Sequence, residues 1–240
     1  MNFYISGYYL IQGSRKQDWM DKDNLLPEKI WSGSRHICPK FPDSWILGWT
    51  SSKEAEAKKE LEKAREIIKL SDDKFFHAQK EFNELFSENR FGFPNVFMDS
   101  NVPLEKYHQY FGSVSDLKLL GFGLPEVYLE SFMTQYNLVG FESITRNGVY
   151  KKLSRRNIYD KSYQVIGYDL LGFDGADYCL FLCSSMESEI YQKYNVRFNQ
   201  YGLISEYKSA DKVSQAIVSG KETAEEGFWA PWLVFEIELQ

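Results

Sequence analysis

Zinc is the first chemistry the residue types suggest. The chain holds three His (His36, His77, His108) and three Cys (Cys38, Cys179, Cys183). His36 and Cys38 are near neighbours, and Cys179 and Cys183 share one face at i, i+4 if their segment is helical. Thiolate and imidazole are what zinc takes, but structural sites pair their ligands at shorter, repeated spacings. Cys on an apolar stripe behaves as a small buried hydrophobe. No metal ligand set is assigned on this pattern, and no cofactor is expected.

Carboxylates offer a second chemistry. Asp169, Asp174 and Asp177 cluster around Gly172 and Gly175. Oxygen ligands on such turns hold hard cations, and paired carboxylates do acid–base work. The spacing is not that of an EF-hand, and Asp174 has a sufficient role as the cap of a following helix. The stretches Gly121-Phe122-Gly123 and Gly172-Phe173-Asp174-Gly175 lack the Gly-Lys-Ser/Thr ending that cradles phosphate.

Cations gather at Arg146, Lys151, Lys152, Arg155 and Arg156, with Lys161 nearby. They surround Asn147-Gly148, a pair that supplies the positive φ of a type I′ turn. The expectation is a hairpin joining strands 141–146 and 149–154. Its cations either grip phosphate or an acidic partner, or protect a solvated sheet edge.

The fourth pattern is acidic and aromatic. Residues 163–240 carry 12 acids against 5 Lys/Arg, whereas 1–162 carry 22 against 23. The excess negative charge therefore belongs to the last third. Glu222, Glu225, Glu226, Trp229, Trp232, Glu236 and Glu238 form its candidate partner-binding surface. Acids steer a basic partner, and Trp anchors one if exposed. If buried, the two Trp around Pro231 plug the end of a sheet.

Elements must position these residues. Residues 3–11 alternate: Phe3, Ile5, Gly7, Tyr9 and Ile11 fall on one face, Tyr4, Tyr8 and Leu10 on the other. That reads as a strand covered on both sides. Residues 12–50 read as loops with short strands near 30–37 and 45–49. Ala57, Leu61, Ala64, Ile68, Phe75, Ala78, Phe82 and Leu85 keep helical phase, predicting one long helix over 52–89. The alternative is a second helix starting at Ser71. Residues 90–123 are Gly/Pro-punctuated and aromatic, and Pro125 sits in the first turn of a helix running to about 137. A strand over 163–171, a helix from Asp174 to about 194, and a helix from Ser209 stopped by Gly220 follow. The last element is a strand over 232–239, with Glu236 and Glu238 on its wet face, as at a sheet edge or on a strand wet on one side. The class is α+β: an antiparallel or mixed sheet with helices packed mainly on one face, in a single domain spanning 1–240.

Composition bounds the rest. A net charge of −6 disfavours nucleic acid, whose phosphates need Lys and Arg. No apolar run approaches the ~18 residues of a membrane span. Three Cys, an odd number, point to a reducing, cytoplasmic setting. The sequence-based expectation is a non-enzymatic protein-binding module that engages a basic protein. Its concrete form is a bacterial immunity-type inhibitor of a basic toxin. One alternative is a small-ligand protein or hydrolase-like enzyme using Asp169, Asp174 and Asp177. The other is a homo-oligomer paired along the Ala57–Leu85 seam.

Overall fold

The computed structural model describes residues 1–12, 71–88, 90–92, 96–111, 117–138, 148–173, 178–180, 187–199, 203–224 and 226–238. Expectations for 12–50 beyond the first strand, and for 52–70, lie outside the described residues. The elements are β1 (Phe3–Gln12), α1 (Asp72–Ser87), β2 (Phe91–Gly92), β3 (Val96–Phe97), α2 (Asn101–Phe111) and β4 (Leu117–Pro125). They continue with α3 (Glu126–Leu138), α4 (Gly148–Ser154), β5 (Gln164–Phe173), β6 (Tyr178–Leu180), α5 (Glu187–Lys193), α6 (Tyr207–Val218) and β7 (Phe228–Ile237). The fold is α+β. Its seven described strands form one sheet in the order β2-β3-β1-β4-β7-β5-β6, with every pair antiparallel.

Both faces of the sheet are covered. Leu120, Phe122 and Leu124 of β4 and Ala230, Trp232 and Val234 of β7 share one core with Phe132, Leu153, Ile190, Ala210 and Val213, from α3 to α6. The alternate residues Leu119, Leu233 and Phe235 share the other with Phe75 and Phe82 of α1 and Val102 of α2. Most of the described helices thus lie on one face.

The first strand holds a register change. Ile5 pairs with Gly123 and Gly7 with Phe122, so Ser6 is an extra residue. A bulge of this kind reverses side-chain parity beyond it. Phe3, Ile5 and Tyr8 therefore share one core while Tyr4 joins the other, against the expected grouping of Tyr4 with Tyr8. Ser6 is buried, and its Oγ donates to the Phe122 carbonyl at 2.9 Å. A second bulge falls between Val165 and Gly167. Gly167 has φ 149°, and a Cβ there would meet Leu203 Cβ at 2.7 Å. The displaced Ile166 carbonyl accepts from Asn199 Nδ2 at 2.6 Å.

α1 begins at Asp72, and its first bond runs from Phe75 N–H to the Ser71 carbonyl at 2.8 Å. Ser71 lies outside the helix, as the second-helix reading has it. Phe75, Ala78, Phe82 and Leu85 form the buried stripe that the sequence period marks. Glu81 ties α1 to α2: it accepts from Lys106 Nζ at 3.0 Å, from Gln109 Nε2 at 3.1 Å and from the Tyr110 hydroxyl.

Three expectations are corrected. Residues 149–154 are helical, not the second strand of a hairpin: Val149 and Leu153, four apart, are both buried in one core. Tyr178–Leu180 is a strand paired with β5, so Cys179 lies in a sheet rather than on the expected helix, of which Glu187–Lys193 is the described part. β7 is no edge: it lies between β4 and β5, and Phe228–Phe235 is buried throughout. The segment 117–125, to which the sequence assigned no strand, is the central strand β4. Gly121 stands opposite Phe235, whose ring occupies the space a Cβ would take.

Candidate functional site

The largest described cleft opens between α3 and α6 and is closed at one end by the loop leading into β7. It encloses about 780 Å³. Helical phase explains its walls. α3 turns Leu129, Phe132 and Tyr136 into the core and leaves Val127, Ser131 and Gln135 on the cleft. α6 buries Ala210, Val213 and Ser214 and presents Gln215, Ile217 and Val218. Gly220, with φ 71°, ends α6, and its N–H donates to the Ile217 carbonyl at 2.9 Å.

Tyr128 is the hub that fixes the two helices. Its hydroxyl donates to Asp211 Oδ1 at 2.7 Å, accepts from Gln215 Nε2 at 2.8 Å and lies 3.2 Å from Ser214 Oγ. Ser214 in turn donates to the Trp229 carbonyl at 3.0 Å, linking α6 to β7. Tyr207 also donates to Asp211, at 3.2 Å. Burial, with help from the Asp211 carboxylate, pushes the Tyr128 phenol up to about 12. Burial and Asp211 raise Tyr207 as well. Both phenols are therefore protonated at neutral pH and act as donors that set helix spacing.

The charged groups lining the cleft are Glu222 and Glu226. Glu222 is half-buried and accepts from Lys193 Nζ and, at 2.9 Å, from the Tyr194 hydroxyl. Those two bonds hold its carboxyl below the usual range. Glu226 is exposed. Val127 and Val218 of its lining are 64 % and 65 % exposed, among the most exposed large apolar side chains described, and stand among exposed Ser131, Gln135, Gln215 and Thr223.

The other expected site residues are distributed differently. Trp229 and Trp232 are core residues at 4 % and 0 % exposure, not surface anchors. The reason is the central place of β7, which leaves neither of its faces to solvent along that stretch. Trp232 Nε1 donates to the Leu171 carbonyl at 3.2 Å. Glu236 is bound by Lys118 at 2.9 Å, and Glu238 is exposed. Glu225 lies outside the described residues. Asp169 is buried in β5, where its Oδ1 accepts the Leu170 N–H at 3.1 Å. Asp174, Asp177, Cys183, His36 and Cys38 lie outside the described residues. Among the described ones, no group of three or more His, Cys, Asp or Glu could hold a metal ion. Nor is any described helix long and apolar enough to cross a membrane.

In the basic group, Arg156 ends α4 in the left-handed region with φ 52° and binds Glu130 of α3. Lys152 is buried, Arg155 is exposed, and Arg146 lies outside the described residues. Sequence reasoning missed Tyr128, Gln215 and Val218 as cleft residues. The signal available was Val218, an apolar residue off the buried stripe of α6.

No protein-family model, no curated protein and no solved structure matches this chain.

Proposed function

We propose that the protein is a non-enzymatic binding module that seats a basic segment with an apolar tip, from a partner protein, in the α3–α6 cleft. The observation that carries this reading is that exposed Val127 and Val218 line a cleft whose charged groups, among the described residues, are Glu222 and Glu226. Neighbouring apolar side chains left in water mark surfaces that another molecule covers. Carboxylates beside them favour a cationic complement and reject an acidic one. Val127, Val218 and Glu226 take the anchoring role that the sequence suggested for Trp229 and Trp232. The narrower form is an immunity-type inhibitor of a basic toxin in a cytoplasmic setting. Its support is the charge of residues 163–240 together with the odd number of Cys.

The test is affinity capture from the source cell with the wild-type chain and with the Val218→Lys, Glu226→Lys double variant. The expected result is one stoichiometric basic protein, released by salt and captured at least about tenfold more weakly by the variant. An empty bait, or equal capture by both, contradicts the reading. An empty bait together with a small-molecule rise in melting temperature assigns the cleft to ligand binding instead.

A further inference from the structure

A buried ammonium is costly unless its N–H donors find acceptors. Lys152 of α4 is 7 % exposed. Its Nζ donates to the Met98 carbonyl at 2.7 Å and stands 5.1 Å from the centroid of the Tyr8 ring. One donor is thus used by a neutral carbonyl, and no described carboxylate forms an ion pair with it. The two acids beside it, Glu88 and Asp99, are each engaged by Arg90 at 3.4 Å. Lys152 lines a cavity of about 150 Å³, together with Arg90, Lys151, Arg155, Glu88 and Asp99. Arg90, Lys151, Lys152 and Arg155 thus share with Glu88 and Asp99 the lining of a half-open space several water molecules in size. This cavity lies on the basic segment of the sequence and is lined by none of the residues of the α3–α6 cleft.

We propose that the cavity is an oxyanion site that takes a phosphate group, with Lys152 Nζ as its buried donor and Arg155 as an exposed one. A phosphate oxygen accepts charge-assisted bonds from both side chains, and the two lie only three residues apart in the chain. Burial lowers the basicity of the Lys152 amine, followed by opposing effects of Asp99, which raises it, and Arg155, which lowers it. A bound dianion offsets that loss, so binding is accompanied by proton uptake at alkaline pH. Glu88, Asp99, Arg90, Lys151, Arg155 and Tyr8 are the charged and titratable groups that face Lys152.

The experiment is a calorimetric titration of the full chain with inorganic phosphate and, separately, with an alkyl phosphomonoester, with chloride at matched ionic strength as the blank. Saturable one-to-one binding, millimolar or tighter, is expected for at least one of the two, and the arm that binds more tightly identifies free or esterified phosphate. Arg155→Gln, at an exposed position that leaves the core intact, weakens binding severalfold. Lys152→Met keeps most of the apolar stem and weakens it roughly tenfold or more. Lys74→Gln, an exposed cation on α1 outside the cavity, leaves binding unchanged. No saturable binding by the wild type overturns the proposal. So does equal weakening by Lys74→Gln and Arg155→Gln, which marks diffuse charge attraction only.

Discussion

Tyr128 and Gly121 show how single residues set this architecture. The Tyr128 hydroxyl joins α3 to α6 through Asp211 and Gln215. Tyr128→Phe strips those partners and should cost about 1–3 kcal/mol by chemical denaturation, because it removes a half-buried hydrogen bond to the Asp211 carboxylate. The same residue sets an alkaline limit. Its folded-state pKa, raised to about 12, lies above the ordinary tyrosine value of 10.0. The stabilisation is complete below pH 10 and is lost as pH rises through 12. Glu81 sets an acid limit of opposite sign. Its burial pushes the carboxyl up, but the bonds from Tyr110, Lys106 and Gln109 outweigh this and lower it. Its contribution is present above the ordinary value of 4.5 and is lost as pH falls through the lowered one. Thermal melts across pH should show the acid limb flattened by Glu81→Gln and the alkaline limb by Tyr128→Phe. Gly121→Ala drives a methyl into the Phe235 ring and should destabilise by about 1–3 kcal/mol. None of these roles was legible in the sequence. A tyrosine's partners and a glycine's facing ring come from elements far apart in the chain.

The register of β1 turns on Ser6. Removing its hydroxyl alone, in Ser6→Ala, should cost about 1 kcal/mol, the worth of one hydrogen bond. Deleting Ser6 instead removes the bulge and leaves Ile5, Gly7 and Tyr8 opposite Gly123, Phe122 and Gly121 in regular register, so Phe3 and Ile5 stay on the face of Tyr8. Both variants should therefore keep cooperative unfolding in calorimetry. Apolar period marked β1, α1 and α3, whereas α6 was marked by its ends: Gly220 does stop it, but the helix starts at Tyr207, so the expected cap Ser209 lies inside it. Period failed where another signal competed. Asn147-Gly148 has the chemistry of a hairpin turn, yet Val149 and Leu153 at i, i+4 find a core, and burial decides for helix. β4 carried no assignment, because the ring that fills the space beside Gly121 is Phe235 of β7, far away in the chain. The charged end of β7 suggested an edge, but Glu236 reaches Lys118 on the neighbouring strand. Cys179 and Cys183 kept helical spacing by coincidence, and Cys179 lies in β6.

At the scale of the molecule, the acidic last third does not act as one surface. Lys193 and Lys118 take up Glu222 and Glu236, and Asp169 is buried. Composition located the charge correctly but not its neutralisation, which depends on which cations the fold brings across. Among the described residues, Glu226 is an exposed carboxylate that shares the cleft lining with Val127 and Val218. Association with a basic partner should therefore slow as salt rises, and Glu226→Lys should lower its on-rate and flatten that salt dependence in stopped-flow measurements. The most direct measurement is photo-crosslinking in the source cell, with a crosslinking amino acid placed at position 127 or 218 and, as control, at exposed Lys74 on α1. The account predicts that one basic protein is captured from both cleft positions and not from the control, and that Glu226→Lys reduces the capture. Capture of nothing at 127 and 218, or of the same set of proteins from all three positions, would contradict it.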